Sequence, residues 1–277
     1  MQIVNIASGF TELDKITNGW RNGDLIVIGG RPSMGKTAFG VSLLKNMAIT
    51  NRIPTAFFYL EGTKIQLTNR LLLSLCLVER KEIEEFSNGD IASLNEEELY
   101  RIKDAKKQIE AAPIYLDDTP ALSIQELYLK TARMVRDYQI KLIIIDYFQL
   151  MSGFGLFSDR SEEVAYMARE LKKLAKDLNI PLVVFFQLHH SIKNGDGIDG
   201  KRPRLNDLRE SDTIEQEADV VCFIHRPEYY GLGADENGND IHGLAEIIIA
   251  KNRNGETGSI RLKFNQVCAS FDNFDEV

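Results

Sequence analysis

A chain of 277 residues with 44% hydrophobic and 27% charged side chains can bury a full core, and its composition excludes an intrinsically disordered protein. With 33 Lys and Arg against 41 Asp and Glu, the net charge of −8 argues against a surface that coats nucleic acid, although a local basic stripe or a channel formed on assembly stays open. There is no signal-peptide pattern and no apolar run of membrane-spanning length, so no membrane partner is expected and the expected compartment is the cytoplasm.

In chain order, residues 8–20 carry Phe10, Leu13, Ile16 and Trp20 as a packing face, and the spacing after Thr11 predicts one short helix closed near Gly19. Residues 25–28 are a short β-branched apolar run, predicted as a buried strand, and residues 36–48 read as a helix. Between them Gly30, Arg31, Pro32, Ser33, Met34, Gly35, Lys36 and Thr37 match G-x-x-x-x-G-K-[ST]. Strand, glycine loop and helix start in that order would set backbone N–H groups and the positive end of a helix around a phosphate. The loop, with Ala38, is therefore a candidate nucleotide cradle: Lys36 would reach the β- and γ-phosphates and the Thr37 hydroxyl would hold Mg²⁺.

Residues 54–60 form a second candidate strand with Glu61 at its carboxyl end, where ligands of open parallel sheets sit. Glu61 there could polarise an attacking water or be a solvated loop carboxylate. Residues 63–112 read as helical, broken at Asn88-Gly89, and 114–116 as a short strand. Residues 123–138 predict an amphipathic helix with Ile124, Leu127, Leu129 and Val135 on or near its apolar side. Residues 142–145 are four apolar residues ending in Asp146, the pattern that delivers a carboxylate to a Mg²⁺ hydration shell.

A helix is predicted from Ser161 to Asn179 with Glu163 as a weak capping partner, then a strand over 181–186 ending in Gln187. Residues 189–205 are polar and glycine-rich and gather Lys193, Lys201, Arg202 and Arg204. Residues 220–225, 245–250 and 259–265 read as strands; in the last, Ile260, Leu262 and Phe264 alternate with Arg261 and Lys263. The turn between these last two, Lys251-Asn252-Arg253-Asn254-Gly255, would by itself be an ordinary charged hairpin. Cys76, Cys222 and Cys268 lie scattered in apolar stretches and are expected as buried free thiols. His189 and His190 have no metal-ligand spacing, and no zinc site is expected.

Taken together, residues 11–39, 146–151, 202–218 and 250–258 resemble the C-terminal ATPase domain of bacterial replicative DNA helicases, the DnaB family, and the resemblance extends over essentially the whole chain. It implies one RecA-like α/β domain over residues 1–277, with 1–24 as a lead-in, a mainly parallel sheet flanked by helices and a C-terminal antiparallel hairpin. It also implies a hexameric ring that binds ATP and Mg²⁺ between subunits, encircles single-stranded DNA, unwinds with 5′–3′ polarity and meets a primase and a helicase loader. By the same resemblance Glu61 is the catalytic base and Gln187 senses the γ-phosphate or couples it to DNA. Lys251 and Arg253 reach the nucleotide of the adjacent subunit. Arg209, Glu210 and Asp212 meet the DNA backbone, with Lys193 and Arg202 as further DNA contacts.

Three positions depart from the family pattern: Gly62 in place of Met, His189 and His190 where Asn-Arg or Ser-Arg is common, and Asp212 where Gly is frequent. The last sets a carboxylate in the path of a phosphate. Family members also carry an N-terminal domain and a linker helix, so the expectation is an excised domain or a short relative that assembles weakly. A RecA-like recombinase or signalling ATPase would share the P-loop and Asp146, and a non-catalytic nucleotide-binding module is the other alternative.

Overall fold

The computed structural model describes residues 5–153, 155, 157–188, 200–234 and 238–274, with the backbone alone at 92 and 209–212. Its strands are β1 (Leu25–Gly30), β2 (Thr55–Tyr59), β3 (Ile114–Asp117), β4 (Leu142–Asp146), β5 (Leu182–Gln187), β6 (Val220–His225), β7 (Leu244–Asn252), β8 (Gly258–Asn265) and β9 (Ser270–Asn273). They form one sheet in the order β3-β2-β4-β5-β1-β6-β7-β8-β9. From β3 to β6 every pairing is parallel, and from β6 to β9 every pairing is antiparallel.

A parallel sheet needs cover on both faces, and this explains why β1, β2, β4 and β6 are buried at every residue. On one face Ile26, Ile28, Ile144, Val183 and Phe185 pack with Phe39 and Leu43 of α2 (Lys36–Leu44). On the other, Val27, Ile143, Ile145 and Val184 pack with Leu127 of α6 (Ile124–Tyr138) and with Met167, Leu171 and Leu174 of α7 (Arg160–Leu178). The predicted N-terminal helix is α1 (Thr11–Thr17); Phe10 stacks on Phe39 with ring centroids 5.0 Å apart, and Leu13 and Trp20 are buried. α3 (Lys64–Cys76), α4 (Arg80–Asn88) and α5 (Glu96–Glu110) close a satellite cluster around Leu72, Leu73, Ile83 and Ile102. All three cysteines are buried free thiols, as expected, and burial pushes the Cys222 thiol up to about 12.

Several expectations are corrected. The helical stretch after β2 breaks not only at Gly89 but also at Leu77, a non-glycine residue in the left-handed region (φ 52°), so three helices form there. Leu129 points to solvent with 71% exposure and Thr131 takes the buried place, because the apolar stripe of α6 runs through Ile124, Leu127 and Thr131. α7 is capped by Asp159, whose carboxylate accepts from the Glu162 N–H at 2.8 Å; Glu163 instead accepts from the Gly153 N–H at 2.7 Å. α2 continues as a π-helical turn, Lys45–Thr50. The C-terminal hairpin gains a third strand, β9, whose Phe271 N–H donates to the Ser42 hydroxyl of α2 at 2.8 Å.

Candidate functional site

Register brings the carboxyl ends of the parallel strands into one crevice: Gly30 lies beside Gln187 and Ile224, and Tyr59 beside Asp146. From β1 the chain enters the glycine loop, where Ser33 (φ 63°) and Gly35 (φ 94°) take left-handed backbone. Gly35 is needed twice over, since a Cβ there would also stand 3.1 Å from the Phe271 ring. α2 starts directly after it with no side-chain cap, so its first N–H groups face the loop, the arrangement that binds anions. Met34 and Ala38 are buried behind the loop, Pro32 is half-buried and Ser33 is exposed.

The Lys36 ammonium is buried and donates to the carbonyls of Gly30 at 3.2 Å and Arg31 at 3.3 Å. Burial lowers its pKa, against the opposing pull of Asp146 and Glu61. Asp146 is fully buried, and neither carboxylate oxygen makes a hydrogen bond of ordinary geometry. Burial raises its pKa to about 6, with the nearby Thr37 hydroxyl as the largest opposing influence and Glu61 adding to the rise. A buried carboxylate with unengaged lone pairs is costly without a cation or donor. Among the described residues no cluster of three or more His, Cys, Asp and Glu could hold a metal. Thr37 and Asp146 therefore suit a hard cation that brings water and phosphate oxygens as its remaining ligands.

Glu61 is exposed one residue beyond Leu60, whose N–H donates to the Asp146 carbonyl at 2.8 Å. It lines an open cavity of about 380 Å³ together with Tyr59, Gln66, Asn69, Arg70 and Arg80. Arg70 was not legible as a site residue: it sits in α3, and the fold brings its charge to bear on both Tyr59 and Asp146. Gln187 ends β5 with its main chain held by Gln149 through bonds of 3.1 and 2.8 Å. Gln149 lies in the Asp-Tyr-Phe-Gln segment after β4, and that motif was its only signal.

Lys251 and Arg253 stand at the opposite end of the sheet. Lys251 pairs with Val221 and Asn252 with Val220, which lies beside Ile26, whereas the glycine loop begins at Gly30. Four residues of β1 separate the two levels, roughly 13 Å at the rise of a strand. The Lys251 ammonium donates to the carbonyls of Glu215 at 2.6 Å and Gln216 at 3.2 Å. The Arg253 guanidinium binds the Gln216 carbonyl and, at 3.3 Å, the Asp219 carboxylate. Partial burial and the adjacent Arg253 lower the Lys251 pKa.

Of the residues expected to meet DNA, Arg202 is paired with Glu246 and lies 3.4 Å from the Ser259 hydroxyl, on β7 and β8. Arg209 and Glu210 lie in the 3-10 segment Leu205–Ser211, and Asp212 opens the short helix Asp212–Glu217, with backbone alone described. Lys193, His189 and His190 fall outside the described residues. Arg31 joins the loop to this region: its guanidinium donates to the Lys201 carbonyl at 3.1 Å and the Tyr230 hydroxyl at 2.9 Å.

A strand, glycine loop and helix that deliver a lysine and a hydroxyl to the carboxyl edge of a parallel sheet, beside a buried aspartate from another strand, define a P-loop nucleotide-binding domain of the RecA-like kind. The family model for the DnaB-like helicase C-terminal domain matches residues 5–273, and the chain belongs to that family. It is 38% identical over 265 residues to a probable replicative DNA helicase of Trieres chinensis, covering 95% of this chain and 56% of that protein. It is 37% identical over 275 residues to the replicative DNA helicase DnaB of Geobacillus stearothermophilus, covering 99% and 58%. The chain thus spans little more than half the length of these relatives.

Among solved structures, the ATPase domain of G40P superposes with a TM-score of 0.88 at 30% identity, over 99% of this chain and 92% of that one. A DnaB-like replicative helicase described with its interactions with primase gives 0.88 at 30% identity, over 99% and 64%. Among the described residues no helix is long and apolar enough to cross a membrane.

Proposed function

We propose that this chain is the ATP-driven motor domain of a replicative DNA helicase and works as a hexameric ring that moves 5′–3′ on single-stranded DNA in the cytoplasm. The observation that carries the reading is the division of the charged groups: Lys36, Thr37, Asp146 and Glu61 at the carboxyl edge of the sheet, Lys251 and Arg253 at the amino edge. A chain whose cations lie so far from its own glycine loop meets a γ-phosphate with them only on a neighbouring subunit.

In this reading residues 30–38 cradle the phosphates of ATP, and Lys36 exchanges its loop carbonyls for the β- and γ-oxygens. Mg²⁺, held by Thr37 and Asp146, supplies charge neutralisation on those oxygens when bound. Glu61 orients and deprotonates a water that attacks the γ-phosphorus as the bond to the β-bridging oxygen breaks. Lys251 and Arg253 of the adjacent subunit stabilise the charge developing on the transferred group. Gln187, at the end of the strand beside Gly30, reports the state of the γ-phosphate to residues 189–212. There Lys193, Arg202, Arg209, Glu210 and Asp212 are proposed to line the DNA path. Several subunits would supply that basic lining together, which suits an acidic chain. The likeness to a helicase described with its interactions with primase makes a primase a proposed partner, and a helicase loader is proposed from the family resemblance of the sequence.

The test is ATP hydrolysis per subunit against protein concentration, with and without single-stranded DNA. A rate that climbs steeply with concentration and further with DNA supports the shared site. A flat rate indifferent to DNA would sink it.

A further inference from the structure

Four elements meet on one carboxylate at the amino edge of the sheet. Asp219 precedes β6, is 5% exposed, and gives each oxygen a separate duty. Its Oδ2 accepts from the Leu25 N–H at 2.8 Å and from the Lys172 ammonium of α7, which also donates to the Gly23 carbonyl at 2.8 Å. Its Oδ1 accepts from Nη1 of Arg253 at 3.3 Å. The main chain repeats the connection, with the Arg253 N–H donating to the Asp219 carbonyl at 2.8 Å and the Asp219 N–H to the Leu25 carbonyl at 2.9 Å.

Lys172 alone would neutralise Asp219, and buried ion pairs are in themselves weak contributors to stability. Lys172 does not account for the second cation on the remaining oxygen. That cation keeps 44% of its side chain exposed and, among the described residues, makes one other bond, to the carbonyl of Gln216. An arginine on an unsupported hairpin would lose side-chain freedom at every engagement with a phosphate. Here the guanidinium is already oriented, with donors left over.

We propose that Asp219 is the positioning residue of Arg253, tying the 252–255 turn to β1 and α7 so that the guanidinium is presented, pre-aligned, to the nucleotide of the neighbouring subunit. The inference rests on the reading of Arg253 as a group acting between subunits. It extends that reading to a residue buried in the core that touches no nucleotide. The seat is completed by the Gln216 carbonyl, while the adjacent Glu215 carbonyl holds Lys251, both near the end of the short helix behind the segment proposed to meet DNA. A shift of that helix would therefore move the guanidinium with it.

The test uses the full chain and removes both buried charges together. Lys172→Met with Asp219→Asn keeps an acceptor for the Leu25 N–H and avoids a lone buried ammonium. Thermal unfolding verifies the fold, and ATP turnover with single-stranded DNA is then followed over rising protein concentration. The expected result is unchanged KM and a kcat lowered by roughly 10²-fold, the scale of a misplaced reacting group, while in the Arg253→Ala background the same two substitutions cost nothing beyond Arg253→Ala alone. Lys172→Met alone leaves Asp219 facing Arg253 and should keep most of kcat. Should the double variant unfold, Asp219→Glu keeps the charge beside Lys172, displaces the carboxylate by one methylene and carries the same expectation. Undiminished kcat, a loss that adds to that of Arg253→Ala, or an equal loss in Lys172→Met alone overturns the proposal. If Arg253→Ala itself leaves turnover untouched, the assignment between subunits has failed, and the role of Asp219 with it.

Discussion

Gln149 holds both main-chain groups of Gln187, accepting from its N–H at 3.1 Å and donating to its carbonyl at 2.8 Å. The segment that follows Asp146 is thereby locked to the strand end beside the glycine loop. Gln149→Leu would leave two half-buried peptide groups without that partner and should cost about 1–3 kcal/mol. Turnover should fall while nucleotide affinity is kept; chemical denaturation and a nucleotide titration check the two halves. A variant as stable and active as the parent would show that the lock is dispensable.

Asp146 is a burden on the fold in the absence of a cation. Its carboxyl, raised to about 6 by burial, keeps its proton in the folded state where the unfolded chain has already lost it. Its contribution therefore falls as pH rises from about 4, the unfolded value, and the loss is complete above about 6. Asp146→Asn removes that term. With chelator and no nucleotide, the variant should be the more stable by up to about 3 kcal/mol above neutral pH, and the gap should close below about pH 4. Melting curves across the pH range decide this, and a gap independent of pH would contradict it.

If Arg253 serves the neighbour, two dead subunits can make one live interface. Arg253→Ala should bind nucleotide normally and lose turnover by about 10³-fold or more. Lys36→Ala should be inactive through its own loop. Mixing the two should restore part of the activity, because some interfaces pair an intact loop with an intact arginine. No recovery in mixed assemblies that demonstrably form would count against action between subunits.

Gly40 sits where α2 crosses the sheet, and a Cβ there would come within 2.9 Å of the Phe185 ring and 3.2 Å of the Phe57 ring. Overpacking of about 1–3 kcal/mol should outweigh the gain of about 1 kcal/mol that alanine brings to a helix. Gly40→Ala is thus expected to lower the denaturation midpoint, and a rise would mean that the two rings yield freely.

Leu127 and Leu129 separate the two faces of α6. Leu127 is fully buried and Leu129 is 71% exposed. Leu127→Ala should cost about 2–5 kcal/mol, and Leu129→Gln should stay within about 0.5 kcal/mol of the parent. Equal costs in equilibrium unfolding would overturn the assignment of faces.

What the sequence by itself determined is whatever depends on neighbours along the chain. The apolar runs of β1, β4, β5 and β6, the glycine loop with Lys36 and Thr37, and Asp146 at a strand end are local patterns, and the structure places them as read. The turn at Leu77, the cap at Asp159 and the burial of Thr131 in place of Leu129 were decided by packing between elements that no window of sequence contains. The same holds for charge. Lys251 and Arg253 are two cations in a turn until strand register sets them at the edge away from Gly30. Asp219 is an acid before a strand until α7 brings Lys172 to one oxygen and the hairpin brings Arg253 to the other. Side chains 34 to 47 positions apart meet there because the parallel sheet fixes which strand ends share an edge, and that order is a property of the assembled core.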